Sequence, residues 1–113
     1  MIEVKNAKIT SVQLGFEGHG ILTAFLHLDY GDSSAQGFGG YSLDSWACAV
    51  FVRRVLEVVG VDNWEDLKGQ TVRVKAEGHK VHAIGNIIKD KWFNPKEEFE
   101  AHTLISTLIK HQA

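Results

Sequence analysis

From Leu22 to Tyr30 apolar side chains fall on every second position: Leu22, Ala24, Leu26, Leu28 and Tyr30 share one face, and Thr23, His27 and Asp29 lie on the other. A period of two belongs to an extended chain whose side chains alternate between faces, so the segment predicts a half-buried strand. Residues 2 to 16 alternate in two phases, Ile2 and Val4 and then Val12, Leu14 and Phe16, and the break near Asn6-Ala7 predicts a bulge. Gly18-His19-Gly20 turns the chain between the two runs, which therefore pair as an antiparallel hairpin. The same period returns at Val72, Val74 and Ala76, opposed by Thr71, Arg73, Lys75 and Glu77. Gly78-His79 then reverses the chain into a strand from Val81 to Ile88, a second hairpin.

Two stretches carry the helical period instead. Cys48, Phe51, Val52, Val55 and Val59 recur at helical spacing, Asp44 or Ser45 can cap the free amides, and Gly60 allows a left-handed exit, which predicts a helix over Ser45–Val59. Arg53 and Glu57 stand four apart on its outer side and can pair. Asp62 to Leu67 reads as a short helical turn anchored by Trp64. Asn94-Pro95-Lys96-Glu97 opens a last helix, with an Asn cap, Pro at the first helical position and Glu at the third. Ala101, Leu104, Ile105, Leu108 and Ile109 form its apolar stripe, which either docks on the sheet or joins subunits. The order describes an α+β domain, residues 1–113, with a small antiparallel sheet of about five strands and two main helices.

Between the first hairpin and the first helix lies Gln36-Gly37-Phe38-Gly39-Gly40-Tyr41, expected to form a third strand. Three glycines in four positions remove side chains from a backbone path while two aromatics remain beside it. Such a path either bends a strand over the core or lets a ligand approach Gly39 and Gly40 and stack on Phe38 or Tyr41. The spacing matches neither the dinucleotide fingerprint nor a phosphate-binding loop followed by Lys-Ser or Lys-Thr.

Bulk properties narrow the function. Twelve basic and fourteen acidic side chains among 113 residues give a formal charge of −2, without the basic footprint of a long nucleic-acid binder. The one cysteine, Cys48, excludes an intrachain disulfide and reads as buried filler, and no apolar run is long enough for a membrane span, so a reducing, cytosolic setting is expected. Six histidines never fall at a zinc-ligand helical spacing, no serine sits in a nucleophile elbow, and the carboxylates at 97, 98 and 100 suit a helix start. Neither a metal nor a cofactor is expected, and catalysis is not. His19 and His79 are read as exposed turn residues, whereas His27 and His82 face either a pocket or water.

The remaining chemistry suits a nucleotide. Lys80, Lys89 and Lys91 flank the fifth strand, Trp92-Phe93-Asn94 follows it, and Arg53 and Arg54 come from the first helix. Aromatics stack on bases, cations neutralise phosphate, and an amide such as Asn86 or Asn94 can read a base edge or a ribose hydroxyl. Against this, Trp92 and Phe93 also fit as packing residues ahead of the last helix, with Phe93 immediately before the cap.

Four segments together carry a resemblance. They are Leu14-Gly15-Phe16-Glu17 with His19-Gly20-Ile21-Leu22-Thr23, then Gly37-Phe38-Gly39-Gly40-Tyr41-Ser42-Leu43-Asp44, then Arg53-Arg54-Val55-Leu56-Glu57-Val58-Val59-Gly60-Val61, and Ala83-Ile84-Gly85-Asn86 with Lys89-Asp90-Lys91-Trp92-Phe93-Asn94-Pro95. They resemble small phage proteins, and among them the first Thoeris anti-defence family, phage sponges that sequester cyclic ADP-ribose isomers made by bacterial TIR proteins. The resemblance implies a homo-oligomer built from dimers in the cytoplasm of an infected bacterium, with ligand pockets where subunits meet and no turnover. It also implies members that take cyclic oligonucleotides at separate sites. One departure is the short link between Asp44 and the helix, where relatives carry extra residues. The alternative function is inhibition of a host defence protein by direct contact, with Trp46, Trp64 or Trp92 as exposed anchors.

Overall fold

The first strand, β1 (Glu3–Phe16), is shared between two hairpins. Its second half pairs with β2 (Leu22–Asp29), and its first half pairs with β4 (Thr71–Glu77). The two pairings overlap only at Lys8, which stands opposite both Asp29 and Thr71. The bulge falls immediately after this overlap, between Ile9 and Ser11, not near Asn6-Ala7 as the alternation suggests. Thr10 is the extra residue, and its hydroxyl reaches the His27 carbonyl at 3.3 Å. A long strand with different neighbours along its length, bent by an extra residue, gives the sheet its curl.

The computed structural model describes residues 1–32, 34–39, 45–101 and 103. The sheet runs β3-β2-β1-β4-β5-β6 with every neighbouring pair antiparallel. In it β3 is Ala35–Gly39, β5 is Lys80–Gly85 and β6 is Trp92–Phe93. This is the α+β fold expected from the sequence, with β6 as an added sixth strand, and β5 ends at Gly85 where a strand to Ile88 was expected. Helix α1 spans Ser45–Val59 as predicted, a 3-10 turn covers Trp64–Leu67, and α2 opens at residue 95 and is described over 95–101. Of the capping candidates, Asp44 lies outside the described residues and Ser45 is described by its backbone alone; the α2 stripe from Leu104 onward also lies outside them. None of the described helices is long and apolar enough to cross a membrane.

One sheet face carries the core. Ile9, Leu26, Leu28, Phe38, Val72, Val74 and Ile84 point from the strands onto Phe51, Val55 and Val58 of α1 and onto Phe93. Each large apolar side chain taken fully out of water stabilises the fold by about 1.5–3 kcal/mol. The buried line of α1 passes through Ala47, Phe51, Val55 and Val58, so Cys48, Val52 and Val59 flank it, and Cys48 is half-buried where full burial was expected. Leu67 anchors the 3-10 turn inside the core, with Trp64 packed partly against it.

Gly60 ends α1 at φ +89°, donating to the Leu56 carbonyl at 2.8 Å. Asn86, from the loop after β5, donates through Nδ2 to the Val58 carbonyl at 2.8 Å and covers the same helix end. At the start of α2, Asn94 Oδ1 accepts the Glu97 amide at 3.1 Å and Pro95 takes the first helical position, as predicted. Asn94→Ala is expected to lower stability by about 1 kcal/mol. Chemical denaturation checks it, and an unchanged midpoint would mean that the cap contributes nothing.

Candidate functional site

The face of the sheet opposite the helices carries glycines roofed by aromatics at both ends. On one side the Phe25 ring lies over Gly37, in the place that a Gly37 side chain would occupy, and meets His27 edge-on at 4.7 Å between centroids. On the other, a Cβ on Gly85 would fall 2.6 Å from Trp92 Cε3, so the indole rests on bare backbone. Trp92 stands opposite Gly85, and Gly85 opposite Arg73, across three adjacent strands. The Arg73 guanidinium lies over the indole at 4.7 Å and Lys75 Nζ at 4.4 Å from the ring centroid. Trp92 Nε1 donates to Asp90 at 3.1 Å, which fixes the ring's orientation.

Beside this aromatic, where β6 gives way to α2, opens a cleft of about 550 Å³. That volume lies within the range of small-molecule sites, roughly 300–1,000 Å³. Its sheet wall is Lys75, His82, Ala83 and Trp92, and its helix wall is Asn94 with Lys96, Glu97, Glu98 and Glu100. His82 Nε2 lies 3.3 Å from Glu77. Glu98 is held by Arg54 Nε at 2.9 Å, and Asn94 gives its oxygen to the helix, leaving Nδ2 without a hydrogen bond to the described residues. The cleft is thus cationic toward the sheet, carboxylate-rich toward the helix and aromatic at the junction.

The structure separates the residues that the sequence pointed to. Trp92 and Asn94 line the cleft together. Phe38 does not: it is 1 % exposed, in ring contact with Phe51 and Phe93, so neither of its faces is open for stacking. Gly39 has φ +97°, and a side chain there would meet the Ala24 carbonyl oxygen and, at 2.8 Å, Phe51 Cζ, so this glycine is required by backbone and packing. Gly40 and Tyr41 lie outside the described residues.

Arg54 is structural as well. It donates to Glu98 at 2.9 Å, to Glu57 at 2.7 Å and to the Trp92 carbonyl at 3.1 Å, binding α1 to β6 and α2. The hydrogen bond it donates to Glu98 raises its pKa above the ordinary guanidinium value, burial works the other way, and the bond it donates to Glu57 adds to the rise. Arg53 is exposed and pairs with Glu57 at 3.1 Å, the foreseen four-residue pair. Asn86 spends both ends of its amide internally, Nδ2 on α1 and Oδ1 on the amides of Ile88 and Lys89. Lys80 and Lys89 are exposed and do not line the cleft.

Of the two lysines that line it, Lys75 was legible only as a polar-face residue of β4, because its meeting with Trp92 depends on β6, and Lys96 only as part of the α2 start. His82 was left between pocket and water, and it lines the cleft, whereas His27 is exposed beside Phe25. Among the described residues no group of three or more His, Cys, Asp or Glu is placed to hold a metal ion. Compared with protein-family models, with curated proteins and with solved structures, the chain matches none.

Proposed function

We propose that the protein is an anti-defence sponge that binds a small cyclic nucleotide signal, of the cyclic ADP-ribose class, and holds it without cleavage. The observation that carries the reading is the cleft between β6 and α2, which puts an indole, two ammonium groups, an amide and carboxylates around about 550 Å³. An indole stacks on a base for about 1–3 kcal/mol. Carboxylates accept hydrogen bonds from ribose hydroxyls, the use that dinucleotide-binding folds make of an acidic residue. Sequestration needs only contacts that favour the intact ligand, with no positioned nucleophile or general base. A formal charge of −2 over the chain is no obstacle, because a ligand with two phosphates answers to the few cations near it. The sponge is further proposed to work as a homo-oligomer, for which a monomer mass of 12.6 kDa in light scattering at micromolar concentration is the opposing result.

A second reading, contact with a host protein, is favoured by the end of the first hairpin. There Leu14, Phe16 and Ile21 are exposed, Phe16 by 74 %. One experiment separates these functions. The protein is incubated with cyclic ADP-ribose isomers, removed from them, denatured by heat, and the released material is analysed. Intact ligand supports the sponge, fragments mean an enzyme, and no depletion leaves the protein-contact reading.

Trp92→Leu is expected to weaken binding by about tenfold, the loss of one stacking contact, whereas Trp92→Phe keeps most of the affinity. Calorimetric titration of both variants checks this. Equal affinity in wild type and Trp92→Leu would remove the indole from the site.

A further inference from the structure

We infer that Lys75, supported by Arg73, forms an anion subsite on the outer sheet face that takes a phosphate of the ligand and so sets its orientation in the cleft. The inference rests on the reading of the cleft as a ligand site and adds which wall receives the charge. Lys75 and Arg73 are two apart on β4, so the alternation of the strand puts both on the face that carries Trp92.

The charge there is uncompensated. Arg53 and Arg54 are each paired with carboxylates, and Lys5 with Glu3, whereas neither Lys75 nor Arg73 lies within 4.0 Å of a carboxylate among the described residues. Arg73 is held by two backbone carbonyls, Nε on Asn86 at 2.7 Å and Nη2 on Lys89 at 2.9 Å, which orient the guanidinium without neutralising it. Among the described residues Lys75 has the indole face, 4.4 Å from its centroid, and nothing stronger. A cation over an aromatic at a partly exposed site is held less strongly than by a charge-assisted hydrogen bond to phosphate oxygen. An arriving phosphate therefore draws the ammonium from the ring, while Arg73 stays over the indole on its two carbonyls.

The opposite wall makes this placement directional. It carries Glu97 and Glu100 against the single ammonium of Lys96, so its net charge repels a phosphate on the α2 side while its carboxylates accept hydroxyl or amine donors, and the ligand enters with phosphate toward the sheet and sugar or amine toward the helix. Such a cleft selects a molecule that is anionic at one end and donor-rich at the other, in preference to inorganic anions or neutral nucleosides.

The test uses the whole protein and three probes: inorganic pyrophosphate, adenosine and a cyclic ADP-ribose isomer, titrated by calorimetry at low and at moderate salt. Binding of the cyclic nucleotide is expected to weaken about tenfold or more in Lys75→Gln, to be largely kept in Lys75→Arg, and to be unchanged in Arg53→Gln. Pyrophosphate is expected to bind more weakly, with the same dependence on Lys75 and a loss on raising salt, and adenosine to be indifferent to Lys75. Cyclic nucleotide binding that is equal in wild type and a normally melting Lys75→Gln overturns the subsite and leaves the cleft reading standing. Wild-type protein that binds neither pyrophosphate nor the cyclic nucleotide overturns both.

Discussion

Replacing Gly39 by alanine should destabilise the protein by roughly 2–4 kcal/mol, the sum of a left-handed backbone penalty and overpacking against the core. The backbone there has φ +97°, and the new methyl would be driven toward the Ala24 carbonyl oxygen and the Phe51 ring, both packed in the interior. For a domain of this size the midpoint of thermal unfolding falls by on the order of 10 °C. Because the Gly39 position faces Ala24 and Phe51 in the core and does not line the cleft, any folded fraction should retain its ligand affinity. A variant that melts within a degree or two of wild type and yet loses binding would restore the glycine segment as an approach surface and displace the cleft.

Phe93→Ala should cost more, about 3–5 kcal/mol, the usual loss for an aromatic removed from a packed core. The ring is fully buried and meets Phe51 at 5.6 Å, Phe38 at 6.1 Å and Phe99 at 6.4 Å between centroids, with the Arg54 guanidinium 5.8 Å away. It joins β6, α1 and α2 at one point, between Trp92 and Asn94, so its loss loosens both walls of the cleft. Urea denaturation should show a lower midpoint at unchanged slope, and Phe93→Leu should recover most of the difference. If Phe93→Ala retains the wild-type midpoint, the aromatic cluster is not what holds α2 to the sheet.

Local patterns carried most of the fold. The alternations along β2 and β4, the apolar spacing and Gly60 exit of α1, and the Asn94-Pro95 start of α2 each depend on residues within one or two turns of one another, and each reappears in the structure. The bulge was displaced because β1 changes partners at Lys8, a fact of pairing that its own alternation does not contain. Two-residue β6 was missed since Trp92-Phe93 has no period to detect, and its existence depends on β5 standing beside it.

Residue types alone determined that this chain pairs strands into hairpins, closes one helix with glycine, opens another with Asn-Pro, and carries aromatic, amide and cationic groups suited to a nucleotide. Tertiary structure decided which of those groups are free. Phe38, packed in the core, and Arg54 and Asn86, bonded internally, have the same chemistry there as in a ligand contact, and only distance to their partners tells the two apart. The pairing of Gly85 with Trp92, and of Gly85 with Arg73, brings the indole beside Lys75 from positions 17 residues apart in the chain. Periodicity assigns a side chain to a face, but the partner it meets there is set by strand order and register, which arise from burying the whole apolar surface at once.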